Sequence, residues 1–437
     1  MGTRPVPIQT PVDNGDLFAS SIESIEKSVY ALRSEIETLT MIKNMSLIHY
    51  EQYRNDYEQL RELKAQLSRA LSMSVQNGGQ ISQSVPKEVP IQVKTEEVPK
   101  SEALYHKELA YMCDSNYGDA YRNAFKLKYT LCADSLICAI AFNADGSLFT
   151  FSDSKRLFLI VSSDGSLLRA AEIPEKYRIS DSLDNNFPRA IGFSYNSSII
   201  AVAINSNILL YNTQNLQFVG CLEGHTKDVS SLAFNKNSNG LISGGFDGTI
   251  CIWDLDKKAL VNKKSFPKLE QQNSQQDGII CSVAISHEES YVAIGFMGGV
   301  FAISDMELSS PPGQIKAHDE ILQSISISHQ DTMLATVSRD KTIKLWSLKG
   351  ITSCSKTLKG HTDFVLSASF SPNDALLATS SKDETIKIWD LKKGDNIATL
   401  TSHKNTIFQV LHHPTDNALI SCSGDGLVCY WEYKLPN

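Results

Sequence analysis

Long apolar runs are missing from this 437-residue sequence: no stretch approaches the ~18 consecutive apolar residues of a membrane span. The opening residues, MGTRPVPIQTPVDNGD, place Pro, Asp and Asn where a secretory signal needs an apolar run. The two absences predict a soluble, intracellular protein that does not enter a membrane. An excess of basic charge is also lacking. With 41 Lys and Arg against 49 Asp and Glu, the formal charge is −8, too acidic for a chain whose main work is neutralising phosphates, so direct sequence-specific DNA binding is not expected. The nine cysteines contain no CxxC pair, and Cys138, Cys251, Cys281 and Cys429 lie inside apolar runs. Reduced, buried thiols are expected, with no metal site. No Gly-rich phosphate loop and no unrepeated catalytic constellation is found, which argues against an enzyme and against a cofactor.

Gly and Pro are absent from Asp16 to Asn77, while Gly15 precedes this window and Gly78-Gly79 follow it. One long helix fits, and at ~1.5 Å per residue it is far longer than the helices of a compact domain. With Ile22 as heptad position a, the a and d positions include Ile22, Ile25, Val29, Leu32, Ile36, Leu39, Tyr50, Tyr53, Tyr57, Leu60, Leu67 and Leu71. Lys43, Ser46 and Lys64 are the polar exceptions, residues able to fix register. Self-association buries this stripe directly, and the three Tyr suggest a seam of more than two helices. Residues 1–15 read as a disordered tail, 16–77 as an oligomerisation helix and 78–125 as linker and lead-in. Within the last, residues 78–100 are rich in Pro, Ser and charge, and SEALYHKELAYM is compatible with a short helix.

From residue 126 to 437 the pattern becomes short β-branched and aromatic runs between turn clusters such as NADGS, FSPNDA and GFDGT. The residue closing the first strand of each unit recurs as Phe142, Phe193, Phe234, Ile285, Ile327, Phe370 and His412. That makes seven units, with polar insertions at 175–186 and 268–277. In four of them a His is followed by Ser or Thr at +18, Asp at +22 and Trp at +28. These tetrads are His225, Ser243, Asp247 and Trp253; His318, Thr336, Asp340 and Trp346; His361, Thr379, Asp383 and Trp389; His403, Ser421, Asp425 and Trp431. All four tryptophans of the chain are used. The pattern matches the WD-repeat signature, best in GHTDFVLSASFSPNDALLATSSKDETIKIWD (360–390), and predicts an all-β, seven-bladed WD40 propeller behind the long N-terminal helix.

Ser, His and Asp together suggest nucleophilic catalysis. Fourfold repetition suggests buried polar pairing instead, one network per blade. Adjacent His412-His413 suggests a metal, but His412 falls on the strand-end core position and no further ligand is spaced to join it. In the fourth unit GFMGGVFAISD reads with Met297 at the Asp position and Ile303 at the Trp position. Only six residues follow Trp431, so the last blade lacks a fourth strand, and Lys126 to Leu131 is expected to supply it.

A self-associating helix, a linker and a propeller with one blade lacking His and Trp resemble the fungal Tup-type general transcriptional corepressors, relatives in architecture of the Groucho family. The likeness is clearest in HTDFVLSASFSPNDALLATSSKDETIKIWDLKKGDNIATLTSHKNTIFQV and SGDGLVCYWEYKLPN. The long, often Gln-rich segment that the family carries between helix and propeller is reduced here to residues 78–100. The resemblance implies a nuclear, non-enzymatic scaffold whose helix forms a homo-oligomer, a tetramer, and docks a tetratricopeptide-repeat corepressor. Its propeller would receive DNA-bound repressors, with histone deacetylases and histones as further partners. Repeat register places Asp228, Phe246, Phe296, Ile321, Arg339, Phe364, Leu366, Lys382, Thr406 and Phe408 on the partner-binding top face, where aromatic residues beside Arg and Lys have the composition of an interaction hot spot. A coiled coil joined to a WD propeller also describes adaptors in motor regulation, ubiquitin-ligase receptors and ribosome assembly.

Overall fold

The computed structural model describes residues 105–106, 112–114 and 119–436, apart from 134, 154–156, 178–187, 238, 267–277, 310–312 and 350–353. The expected oligomerisation helix, the linker 78–100 and the insertion 268–277 lie outside the described residues, as does most of the insertion 175–186. The described chain forms seven antiparallel sheets in one ring. They comprise residues 137–172, 190–223, 229–265, 280–316, 322–359, 365–401, and 407–433 with the added strand Phe125–Cys132. These are blades 1 to 7. Phe142, Phe193, Phe234, Ile285, Ile327, Phe370 and His412 each end the first strand of a blade.

A blade cannot bury its own faces, so the cores form between blades. Seven apolar clusters occupy the clefts among the described residues, one for each pair of neighbouring blades. Second strands are accordingly buried throughout, as in Leu376–Ser381 and Ala418–Ser423. Outer strands such as Ala259–Ser265 are largely exposed. First strands of adjacent blades meet around the axis. They cannot form a flat ladder there, and side chains bridge the gap. Ser231 Oγ accepts from Val283 N at 3.0 Å, Ser282 Oγ from Ile325 N at 3.2 Å, Ser369 Oγ from His412 N at 2.9 Å, and Gln409 Oε1 from Ile140 N at 3.1 Å.

The ring is closed by Phe125–Cys132, which pairs antiparallel with Leu427–Tyr433 and sets Leu127 opposite Trp431 and Leu131 opposite Val428. Tyr129 stacks on Tyr430 with centroids 4.9 Å apart, and its hydroxyl donates to the Ser163 carbonyl of blade 1 at 3.0 Å. One strand from before the first blade therefore completes the last blade and grips the first.

Of SEALYHKELAYM only Tyr105, His106 and Met112 are described, and these three are in strands rather than a helix. Tyr105–His106 is a fifth strand on Phe125–Cys132, and Met112–Asp114 is a fifth strand on Asp395–Thr401 of blade 6. The one described helix there is Asp119–Arg122. At Tyr105–His106 and Met112–Asp114, edge pairing satisfies backbone groups along an open strand and overrides a weak helical preference.

Candidate binding surface and the repeated polar networks

In blade 3, His225 Nε2 lies 2.7 Å from Ser243 Oγ, His225 Nδ1 lies 3.1 Å from Asp247 Oδ1, and Trp253 Nε1 donates to Ser243 Oγ at 2.8 Å. Blade 5 repeats this with His318 to Thr336 at 2.8 Å, His318 to Asp340 at 2.7 Å and Trp346 to Thr336 at 3.0 Å. Blade 6 does so with His361 to Thr379 at 2.9 Å, His361 to Asp383 at 2.8 Å and Trp389 to Thr379 at 2.9 Å. In blade 7 His403 bridges Ser421 at 2.8 Å and Asp425 at 3.1 Å, and Trp431 is buried in the core between blades 6 and 7.

In blades 5 and 6 the donor inventory fixes the direction of the chain. A carboxylate only accepts, so Nδ1–H donates to Asp and the neutral Nε2 accepts the hydroxyl proton. The hydroxyl oxygen is then free to accept from the Trp N–H. The hydroxyl is used in both directions and holds its proton toward the imidazole, inside the blade. Burial opposes ionisation of Asp247 and Asp383, but hydrogen bonds from His225 and His361 and from the backbone of Thr226 and Thr362 hold both carboxyls well below the usual range. Burial pushes the His318 and His361 imidazoles down, favouring the neutral form that the chain requires. In blade 7 burial acts the same way on His403, but Cys429 and Asp425 overcome it and raise that imidazole to about 10. Ser243, Thr336, Thr379 and Ser421 are fully buried, which suits internal pairing.

Blade 4 corrects the sequence register by one residue. Met297 N donates to the Ile279 carbonyl at 2.8 Å, as Phe246 N does to Asp228 at 2.8 Å. Gly299 and Gly248 share a φ of +74°. Strand pairing sets Ser304 opposite Val292, as Trp253 is set opposite Leu241. Gly298 therefore takes the Asp position, Ser304 the Trp position, and Phe296 the position of Gly245. Phe296 is not a surface residue: it is 2% exposed and meets Phe266 edge-on at 5.8 Å. A Cβ on Gly245 would come within 2.6 Å of the His225 ring. The phenyl group thus occupies the space that the imidazole and carboxylate fill in blade 3, and Met297 is the blade's residue on the loop side.

The other expected top-face residues are exposed or half-buried, and five of them, Arg339, Phe364, Lys382, Asp228 and Phe246, fall in two clusters. The Arg339 guanidinium lies 5.3 Å from the centre of the Phe364 ring, and Lys382 Nζ lies 5.0 Å from it and 3.8 Å from Asp363. Backbone bonds fix the geometry: Arg339 N to the Ile321 carbonyl at 3.0 Å and Lys382 N to the Phe364 carbonyl at 2.9 Å. The second cluster joins blades 2 and 3, where Arg189 pairs with Asp228 at 2.8 Å and lies 5.1 Å from the Phe246 ring centre. Thr406 is engaged through its carbonyl by Gly424 N at 2.9 Å.

Arg189 and Asp363 were not expected there. A countable signal marks Arg189: it stands four residues before the strand-end Phe193, as Cys138, Ser230, Cys281, Gln323, Leu366 and Phe408 stand before theirs. In those six blades the pairing slips at this residue, a bulge on the innermost strand. Phe408 is 37% exposed at its bulge, and Leu366 is half-buried at its own.

His412 donates from Nδ1 to the Ser369 carbonyl at 2.9 Å, while His413 Nε2 bonds the Gly146 carbonyl at 3.0 Å. The two rings serve different neighbours. All nine cysteines are free thiols, and burial pushes Cys138 and Cys281 up to about 12.

The sheets and networks define a seven-bladed WD40 β-propeller. The WD domain, G-beta repeat family matches residues 216–254, 309–347, 352–390 and 394–432. Among known proteins the chain is similar to autophagy-related protein 16 of Arabidopsis thaliana, 24% identical over 48% of this chain and 38% of that protein. It is also similar to transcription factor unc-37 of Caenorhabditis elegans, 26% identical over 34% of this chain and 22% of that protein. A third relative is the RbAp48-related WD40 repeat-containing protein prw1 of Schizosaccharomyces pombe, 31% identical over 31% of this chain and 33% of that protein. The matches thus span well under half the length of these relatives.

Proposed function

We propose that this protein is a general transcriptional corepressor scaffold of the nucleus. In this reading residues 16–77 assemble a homo-tetramer and dock a tetratricopeptide-repeat corepressor. The propeller receives DNA-bound repressors and recruits deacetylases and histones, and catalysis is left to the bound partners. The observation that carries the reading is the Arg339–Phe364–Lys382 cluster, a half-buried aromatic ring between two cations supplied by adjacent blades. An aromatic anchor rimmed by fixed positive charge suits a partner segment that brings apolar and acidic side chains together. The similarity to transcription factor unc-37 supports the same direction. Crosslinking capture from nuclear extract tests it, comparing the intact chain with a Phe364→Ala, Arg339→Ala variant. Loss of sequence-specific factors with retention of the helix partner is the expected result; identical captures from both chains would remove the proposed face.

The second reading is a WD-repeat adaptor of another complex, in motor regulation, a ubiquitin-ligase receptor or ribosome assembly. The similarity to autophagy-related protein 16 favours an adaptor role outside transcription. Capture of subunits of such a complex through residues 16–77, with no tetratricopeptide-repeat partner, would select it.

A further inference from the structure

The outer strand of blade 3, Ala259–Ser265, is an open sheet edge of seven residues. Among the described residues its main-chain groups on the outer side have no sheet partner, and it carries Leu260 at 41% and Val261 at 63% exposure. Val261 is the bulged residue where pairing slips between Ile252 and Trp253. Lys257, Lys258, Lys263 and Lys264 stand on or beside the strand, with no acidic residue from 257 to 265, in a chain of net charge −8. Lys258 and Lys263 rest their ammonium groups on the carbonyls of Val219 and Gly224 at 2.7 and 2.6 Å, and Lys264 on that of Leu308. Lys257 also pairs with Asp254 at 2.8 Å and Lys263 lies 3.7 Å from Asp247; an ammonium group has three donors, so these contacts leave capacity for a further carboxylate.

Two other blades show what such an edge accepts. Blade 6 pairs with Met112–Asp114 and blade 7 with Tyr105–His106, each an added antiparallel fifth strand. We propose that Ala259–Ser265 is a docking edge that receives an extended acidic–apolar peptide of a partner protein as a fifth strand. Main-chain hydrogen bonds would supply affinity, as in strand addition generally, and the lysines and Leu260–Val261 would select the sequence. A second copy of this edge is disfavoured, because lysines would face lysines; edge Lys is a known guard against self-pairing. A nucleic acid would use the lysines and leave the two apolar side chains and the backbone edge unused. The inference stands apart from the corepressor reading, since it concerns a different surface.

The test uses the full chain and a short labelled peptide alternating Glu with Val, read by fluorescence anisotropy and hydrogen exchange. Binding should slow exchange at residues 259–265 by about tenfold or more, and Lys263→Glu with Lys264→Glu should weaken it by about tenfold. The same peptide N-methylated at alternate residues keeps its charge and loses its strand donors, so it should not bind. Equal binding of the methylated peptide or of polyglutamate would reduce the site to charge alone and overturn the proposal. Short duplex DNA that displaces the peptide and outcompetes it at 259–265 would do the same, as would binding without protection there. The methylated-peptide comparison decides the matter even if the double variant fails to fold.

Discussion

Phe296 holds in blade 4 the place that Gly245 holds in blade 3: one fills with a phenyl group the space that the other leaves open for His225 and Asp247. Two solutions to the same packing problem therefore coexist in one ring, a polar chain and an apolar plug. Phe296→Ala should cost about 3–5 kcal/mol, the range for truncating a buried Phe. Urea melts of the purified protein measure this. Partner capture by the folded fraction should be unchanged, in contrast to Phe364→Ala; a loss smaller than 1 kcal/mol would mean the cavity collapses without cost.

Thr379 is the hinge of the blade 6 network, accepting from Trp389 and donating to His361. Thr379→Val keeps the shape and removes the hydroxyl, leaving a buried N–H and a buried ring nitrogen unmatched. A loss of about 2–4 kcal/mol is expected. Thr379→Ser, which supplies the hydroxyl as Ser243 does in blade 3, should recover most of it. If Val and Ser variants melt together, the chain contributes little to stability.

Ring closure rests on Phe125–Cys132. Deleting residues 125–132 removes Phe125, Tyr129 and Leu131 from two interblade clefts. At about 1.5–3 kcal/mol per buried side chain the melting temperature should fall by many degrees. Light scattering should also show self-association, because Leu427–Tyr433 becomes an open edge. An unchanged melting curve would count against this account of closure.

Acid sensitivity should appear in two windows. Burial pushes His412 from 6.5 down to about 4, and its Nε2 has no partner among the described residues. Because its folded-state value is depressed, the unfolded chain takes the proton first. The stabilising contribution is whole above about pH 6.5 and is lost as pH falls toward 4. His318 and His361 shift in the same direction. Asp247, Asp340, Asp383 and Asp425 are lowered from 3.8, so their contribution is whole above that pH and is lost only below it. Melting temperature against pH should fall in the first window, and more steeply in the second. His412→Phe should flatten the first; an unaltered slope would assign it elsewhere.

The repeat was legible because each blade solves the same problem with the same period, so the seven strand ends could be counted directly. The tetrads were legible because Trp and His are rare. Blade 4 defeated the motif match because Gly295-Phe296 imitates Gly245-Phe246 one residue too early, although Gly299 stands as far after the strand-end Ile285 as Gly248 does after Phe234. The fifth strands defeated it for another reason. Two or three residues carry no periodicity, and Asp114 meets Thr399 across nearly the whole propeller sequence. Arg189 became visible only when position was counted from Phe193 rather than from a His that its blade lacks.

The strand that closes the ring is among the first parts of the propeller to be synthesised, and its partner, Leu427–Tyr433, is the last. Phe125–Cys132 therefore cannot meet that partner until translation of the repeats is finished. A ribosome that stops early releases a chain in which Phe125, Tyr129 and Leu131 lack the interblade clefts that bury them, and a finished chain hides them.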